Sequence, residues 1–295
     1  MSLSAAQRQH LRFLELKTRR RVQSVFSGAY ESVFKGKGIT FNNVRPYIVG
    51  DDVRAIDWKV SARTGTPHIK EFIEERELSL MVLLDGSASL FFGTEDRTKR
   101  DIAAELACVL ASCATANNDR TGLIIFTDKV EHYVPPRKGR NHLMRILHDI
   151  TTFRPSGRQT DIATALRRVT AGCRGHILVF LISDFLQDPA QYSQALAFAS
   201  KKHDISALCV QDCLELSFPS VGMVGLEDVE TRTVTWSDTS SRRWNQSFHQ
   251  NRSELTQKRD ALFQRHDVPF WTLPIAGEMW KSLYGFFAMR RNQRR

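Results

Sequence analysis

From Leu78 onward, short apolar runs alternate with stretches whose apolar residues recur at helical spacing. This rhythm restricts the region to a mainly parallel sheet covered by helices on both faces. The strand-sized runs are Leu78–Leu84, Gly122–Phe126, Ile177–Ile182, Ile205–Val210 and Phe270–Leu273. Helices are predicted over Thr98–Ala116, with Ile102, Leu106, Val109, Leu110 and Cys113 on one face, then Asn141–Ile150, Asp161–Val169 and Pro189–His203. A hairpin is predicted between Val221 and Trp236, then a long helix over Ser241–His266 and a last helix from Gly277. Residues 78–295 therefore read as a doubly wound α/β domain of Rossmann type, without internal repeats.

Residues 1–77 read as different material. A helix is predicted over Ser4–Val25, where Leu11, Leu14 and Val22 share a face. Extended pieces follow at Tyr30–Phe34, Ile39–Val44 and His68–Ile73, separated by glycines and polar clusters, so a small β-rich subdomain is expected. Asp51, Asp52, Asp57, Arg45, Arg54 and Arg63 are expected to form an ion-pair network over irregular loops, with Trp58 packed beneath. A catalytic carboxylate pair at Asp51 and Asp52 is disfavoured, because adjacent residues of an extended chain point in different directions.

No apolar run approaches the roughly 18–20 residues of a membrane-spanning helix. Met1–His10 has no apolar segment of signal-peptide type, so a cytoplasmic protein is expected. The 42 basic and 32 acidic residues give a formal charge of +10, with the excess concentrated at Lys17–Arg21 and at Arg290, Arg291, Arg294 and Arg295. Such clusters suit solvated helix ends. Nucleic-acid contact is the alternative, but the interleaved aromatics or motif that would support it are missing. Cys108, Cys113, Cys173, Cys209 and Cys213 form no CxxC pair and read as reduced residues, all but Cys213 in apolar surroundings.

In a parallel α/β sheet, ligands gather at the carboxyl ends of the strands. There the sequence places Leu84-Asp85-Gly86-Ser87-Ala88-Ser89 and Ile182-Ser183-Asp184-Phe185, with Arg158-Gln159-Thr160-Asp161 in a loop before a helix. The carboxylates of Asp85 and Asp184 and the hydroxyls of Ser87, Ser89 and Thr160 are hard oxygen donors of the kind that Mg²⁺ or Mn²⁺ collects. No His or Cys joins them, which argues against zinc or copper. The competing reading is that Asp85, Ser87 and Asp161 simply cap helices.

The pattern Asp85-x-Ser87-x-Ser89, with Thr160 and then Asp184, resembles the metal-ion-dependent adhesion site of von Willebrand factor A domains. The resemblance implies Ser87 and Ser89 as direct ligands, Asp85, Thr160 and Asp184 as direct or water-mediated ones, and one coordination position open to a partner's Asp or Glu. The segment Gly36–Leu78, together with Val134–Arg140, Ser183-Asp184-Phe185 and His203-Asp204, resembles the "domain of unknown function 58" family. That likeness implies a von Willebrand factor A-like domain and a non-enzymatic adaptor that works with MoxR-type AAA+ ATPases in chaperone-like complex assembly. A metal-dependent hydrolase or phosphoryl-transfer enzyme is the alternative, with Asp85 as nucleophile. Against it, Asp85-Gly86-Ser87 lacks a second acidic residue and the chain has no Walker motif.

Overall fold

The computed structural model describes residues 30, 40–73, 78–94, 97–230, 232–276 and 279–293. They separate into two units, one of Phe34–Leu78 and a larger one holding Tyr30 and the chain from Ser79. The helix predicted over 4–25 and the Lys17–Arg21 cluster lie outside the described residues. Tyr30, expected in an extended piece, is helical and buried. Burial and the nearby Asp119 raise its phenol pKa, so it belongs to the larger unit's interior.

In the smaller unit β1 (Thr40–Pro46) pairs antiparallel with β2 (His68–Ile73), with a register shift between Phe41 and Asn43. Between them lies α1 (Trp58–Thr64), which the sequence reading missed because two helical turns are too short to show a period. Asp57 caps its start by accepting from the Lys59 and Val60 amides, and Gly65 ends it at a φ of 76°. Of the expected network, the described residues show the Arg45–Asp51 pair, with Asp52 and Asp57 capping helix starts. Asp51 accepts both guanidinium nitrogens of Arg45, at 2.7 and 2.8 Å, which with the Ile48 amide lowers its carboxyl to about 2. Asp52 accepts from the Arg54 amide at 2.9 Å, so the adjacent carboxylates serve different partners. Trp58 does not pack beneath them; at the exposed start of α1 it is 69% accessible.

The larger unit is built on a six-stranded sheet in the order β10-β7-β6-β3-β4-β5. The strands are β3 (Ser79–Asp85), β4 (Arg120–Phe126), β5 (Val130–Arg137), β6 (Leu178–Ser183), β7 (Asp204–Gln211) and β10 (Phe270–Pro274). All pairings are parallel except β4 with β5. The central strands are buried on both faces, which is why they read as unbroken apolar runs. β5 has no such run, and its Pro135 and Pro136 are tolerated because it lies at the edge.

The helices start and stop close to their sequence signals: α2 (Lys99–Ala116), α3 (Arg140–Thr152), α4 (Ile162–Gly172), α5 (Pro189–Lys202), α6 (Arg242–Arg265) and α7 (Met279–Gln293). Met81 and Leu83 share a core with Ile162, Tyr192 and Phe263, which puts α4, α5 and α6 on one face. Intervening side chains point the other way, where Phe180 meets Phe286 of α7 edge-on at 6.0 Å. The predicted hairpin forms as β8 (Met223–Glu227) and β9 (Val234–Asp238). Cys108, Cys113, Cys173 and Cys209 are buried and Cys213 is exposed. Arg290 is not a solvated helix end: it is buried and bonded to Asp204 and Ser206, while Arg294 and Arg295 lie outside the described residues. Among the described residues no helix is long and apolar enough to cross a membrane.

Candidate metal centre

The chain leaves β3 for β4 on one side and later returns to β6 on the other, so the carboxyl end of β3 lies at the reversal point of the sheet. Asp85 ends that strand and is 2% exposed. The Gly86 amide donates to the Phe126 carbonyl at 2.8 Å, turning the chain over the end of β4. Asp85 Oδ1 accepts from the Ser87 amide at 2.8 Å, and Oδ2 accepts from the Ser183 hydroxyl at 2.6 Å. Ser87 occupies the N-cap position of a short 3-10 helix, Ala88–Phe91, yet its side chain makes no capping bond. Its Oγ lies 3.1 Å from Ser89 Oγ instead. Helix capping therefore accounts for Asp161, which caps α4, but not for Ser87.

Thr160 comes from 71 residues further on, and backbone bonds draw its loop in. The Ala88 amide donates to the Arg158 carbonyl and the Asp161 amide to the Thr127 carbonyl, each at 2.8 Å. Gly157 permits this approach, since an added Cβ would stand 2.1 Å from Asp128 Oδ1. Thr160 Oγ1 donates to Glu230 Oε1 at 3.1 Å, so the hydroxyl meets a carboxylate that the motif does not include.

Asp184 follows β6 and is buried. Its Oδ2 accepts from Lys99 Nζ at 2.6 Å, and the same ammonium reaches Glu215 Oε1 at 2.5 Å. Burial alone would lower the Lys99 pKa, but the two carboxylates outweigh it and raise it. Glu215 is also paired with Arg252 at 3.3 Å. Lys99, Glu215, Glu230 and Ser183 were absent from the sequence-derived set. Lys99 had left a signal, because it stands three and seven residues before Ile102 and Leu106 and so shares their buried face. Glu215 and Glu230 had none: Glu215 sits in a three-residue 3-10 helix and Glu230 in a turn, neither long enough to show a period.

Burial and the neighbouring Asp184 push the Asp85 carboxyl up to about 7. A cation between the two carboxylates would relieve that repulsion. Adjacent oxygens of an octahedral Mg²⁺ site with bonds of about 2.0–2.1 Å lie about 2.9 Å apart. The Ser87–Ser89 and Thr160–Glu230 separations of 3.1 Å match that edge. Among the described residues no group of three or more His, Cys, Asp or Glu could hold a metal, so such a site would depend on its hydroxyls. The donors present fit a hard divalent ion.

The raised Asp85 pKa has a thermodynamic consequence. Between the ordinary carboxyl pKa of about 4 and the folded-state value, the native chain keeps a proton that the unfolded chain has released. In chelator, the stability of the wild type relative to Asp85→Asn is therefore expected to fall as pH rises from about 4 to about 7, then level off. Urea unfolding of the pair at stepped pH measures this, and a flat difference across that window would refute it.

A cleft of about 840 Å³ is lined by Ser89, Lys99, Thr160 and Glu230 together with Phe218 and Phe248. The family model described as "Protein of unknown function DUF58" matches residues 43–258. The uncharacterized protein Rv1480 of Mycobacterium tuberculosis is 34% identical over 226 residues, covering 76% of this chain and 71% of the relative. Solved structures of similar fold include BatB from Bacteroides thetaiotaomicron, at TM-score 0.49 and 14% identity, covering 73% of this chain and 99% of that one. A von Willebrand factor type A structure from Catenulispora acidiphila aligns at TM-score 0.43 and 11% identity, covering 75% of this chain and 43% of that one. The family match takes in both the small unit's charged loops and the strand ends that carry Asp85 and Asp184, and the chain belongs to the DUF58 family.

Proposed function

We propose that this protein is a non-enzymatic binding module that docks an acidic side chain of a partner protein through Mg²⁺ or Mn²⁺. Ser87 and Ser89 would hold the ion directly, with Asp85, Thr160 and Asp184 assisting directly or through water. The observation that supports this reading is the tethering of three chain-distant segments at the strand ends: Ser183 donates to Asp85, the Ala88 amide donates to the Arg158 carbonyl beside Thr160, and the Ser87 and Ser89 hydroxyls lie 3.1 Å apart. When bound, the ion supplies Lewis-acid attraction for a carboxylate. The chain's own groups preserve that attraction: three donors are neutral hydroxyls, and Lys99 offsets the charge of Asp184.

An Asp85 nucleophile is poorly supported, because both its oxygens are engaged and it is buried. Nucleic-acid binding through the C-terminal cluster loses Arg290, which is committed to Asp204. The family resemblance supports a MoxR-type AAA+ ATPase, or its client, as the cytoplasmic partner.

Calorimetric titration of Mg²⁺ and Mn²⁺ into wild type and Asp85→Ala tests the site, followed by capture of a purified MoxR-type ATPase by both forms. Affinity for the ion is expected to fall by about 10–100-fold or more in the variant. Capture is expected in Mg²⁺ and to be lost both in chelator and in the variant. Ion binding and capture that survive Asp85→Ala unchanged would overturn the proposal.

A further inference from the structure

The turn between β8 and β9 enters the rim from a segment outside the five-residue pattern. It is fastened on both sides of Gln159. The Val229 carbonyl accepts from Arg158 Nε at 3.2 Å and Nη2 at 2.6 Å, while Glu230 accepts from Thr160 at 3.1 Å. The turn is also closed internally, with the Glu230 amide donating to Asp228 Oδ1 at 2.9 Å and the Arg232 amide to the Asp228 carbonyl at 2.7 Å. Glu230 is thus presented on a braced corner rather than on a free tail.

Its carboxylate is partly buried, with Asp184 and Asp228 as like-charged neighbours. Among the described residues no Lys or Arg pairs with it. Lys99 answers the charge of Asp184 at 2.6 Å, whereas the carboxylate of Glu230 is met by the neutral Thr160 hydroxyl. The hydrogen bond from Thr160 Oγ1 holds Glu230 Oε1 3.1 Å from one of the candidate donors.

We propose that Glu230 is an internal occupant of the ligand position: its carboxylate completes the rim when no partner is present, and a partner's carboxylate docks by displacing it. This inference rests on the metal-site reading given above. The exchange replaces one carboxylate by another, so the charge at the rim is conserved. The 840 Å³ cleft, whose lining joins Glu230 and Thr160 to Phe218, Phe248 and Leu255, then offers apolar surface for the chain that carries the incoming acid.

Water-proton relaxation of Mn²⁺ bound to the full chain tests this, with acetate as the probe carboxylate. Glu230→Ala and Glu230→Gln are each expected to admit about one further water to the bound ion. Each is also expected to bind acetate about tenfold or more tightly than wild type, because an internal competitor lowers apparent affinity by the fraction of sites left open. Glu230→Gln keeps the side chain's size and guards against a packing defect. Glu227→Gln, which removes a neighbouring charge from the same cleft wall, is expected to behave as wild type. Relaxation and acetate response unchanged in both Glu230 variants, with Mn²⁺ still bound and still dependent on Asp85, would overturn this inference alone. Failure of wild type to bind Mn²⁺, or binding indifferent to Asp85→Ala, would overturn the metal site and this inference together.

Discussion

Lys99→Met is expected to destabilise the protein by about 3–5 kcal/mol in chelator, the usual cost of removing one partner from a buried ion pair. The ammonium is 1% exposed and lies 2.6 Å from Asp184 and 2.5 Å from Glu215. Without it, Glu215 keeps Arg252, but Asp184 is left facing Asp85 with no counter-charge. Methionine fills the volume, so the loss reports on charge rather than on a cavity. If the rim binds a divalent ion, that ion replaces the missing positive charge. The variant is therefore expected to recover about 2.7 kcal/mol at ion concentrations one hundredfold above Kd. Urea unfolding with and without Mg²⁺ reads both numbers. A variant as stable as wild type in chelator would show that the Lys99 pairs contribute nothing.

Phe185→Ala is expected to cost about 3–5 kcal/mol as a large-to-small change in the core. Phe185 is fully buried, edge-on to Phe263 at 5.3 Å and to Phe270 at 5.7 Å. It adopts a φ of 53°, a conformation that an aromatic residue avoids. The packing holds that strained turn, and the turn sets where the preceding Asp184 points. Phe185→Gly loses the same ring but relieves the backbone, so it is expected to be about 1–2 kcal/mol more stable than Phe185→Ala. Thermal unfolding of the two variants separates the contributions. The reverse order would show that the left-handed turn carries no strain.

The strands and helices of the larger unit were legible because their signals are local. Leu80–Leu84 and Leu178–Ile182 are apolar along both faces, and Thr98, Asp161 and Ser241 stand where helices begin. β5 and α1 were not: an edge strand needs no continuous apolar run, and a seven-residue helix shows too little of a period. Trp58 was misjudged because apolar character does not specify which side of a short helix is covered.

The candidate centre divides along the same line. Asp85, Ser87 and Ser89 are neighbours in sequence, and the strand-end rule names Asp184, so the amino-acid order alone was enough to nominate these oxygens as candidate donors. It could not show what else stands among them. Lys99 reaches Asp184 across 85 residues and Glu230 reaches Thr160 across 70. Those approaches depend on how α2 and the β8–β9 turn pack at the sheet's carboxyl edge, and charges brought together by packing leave no periodic trace along the chain.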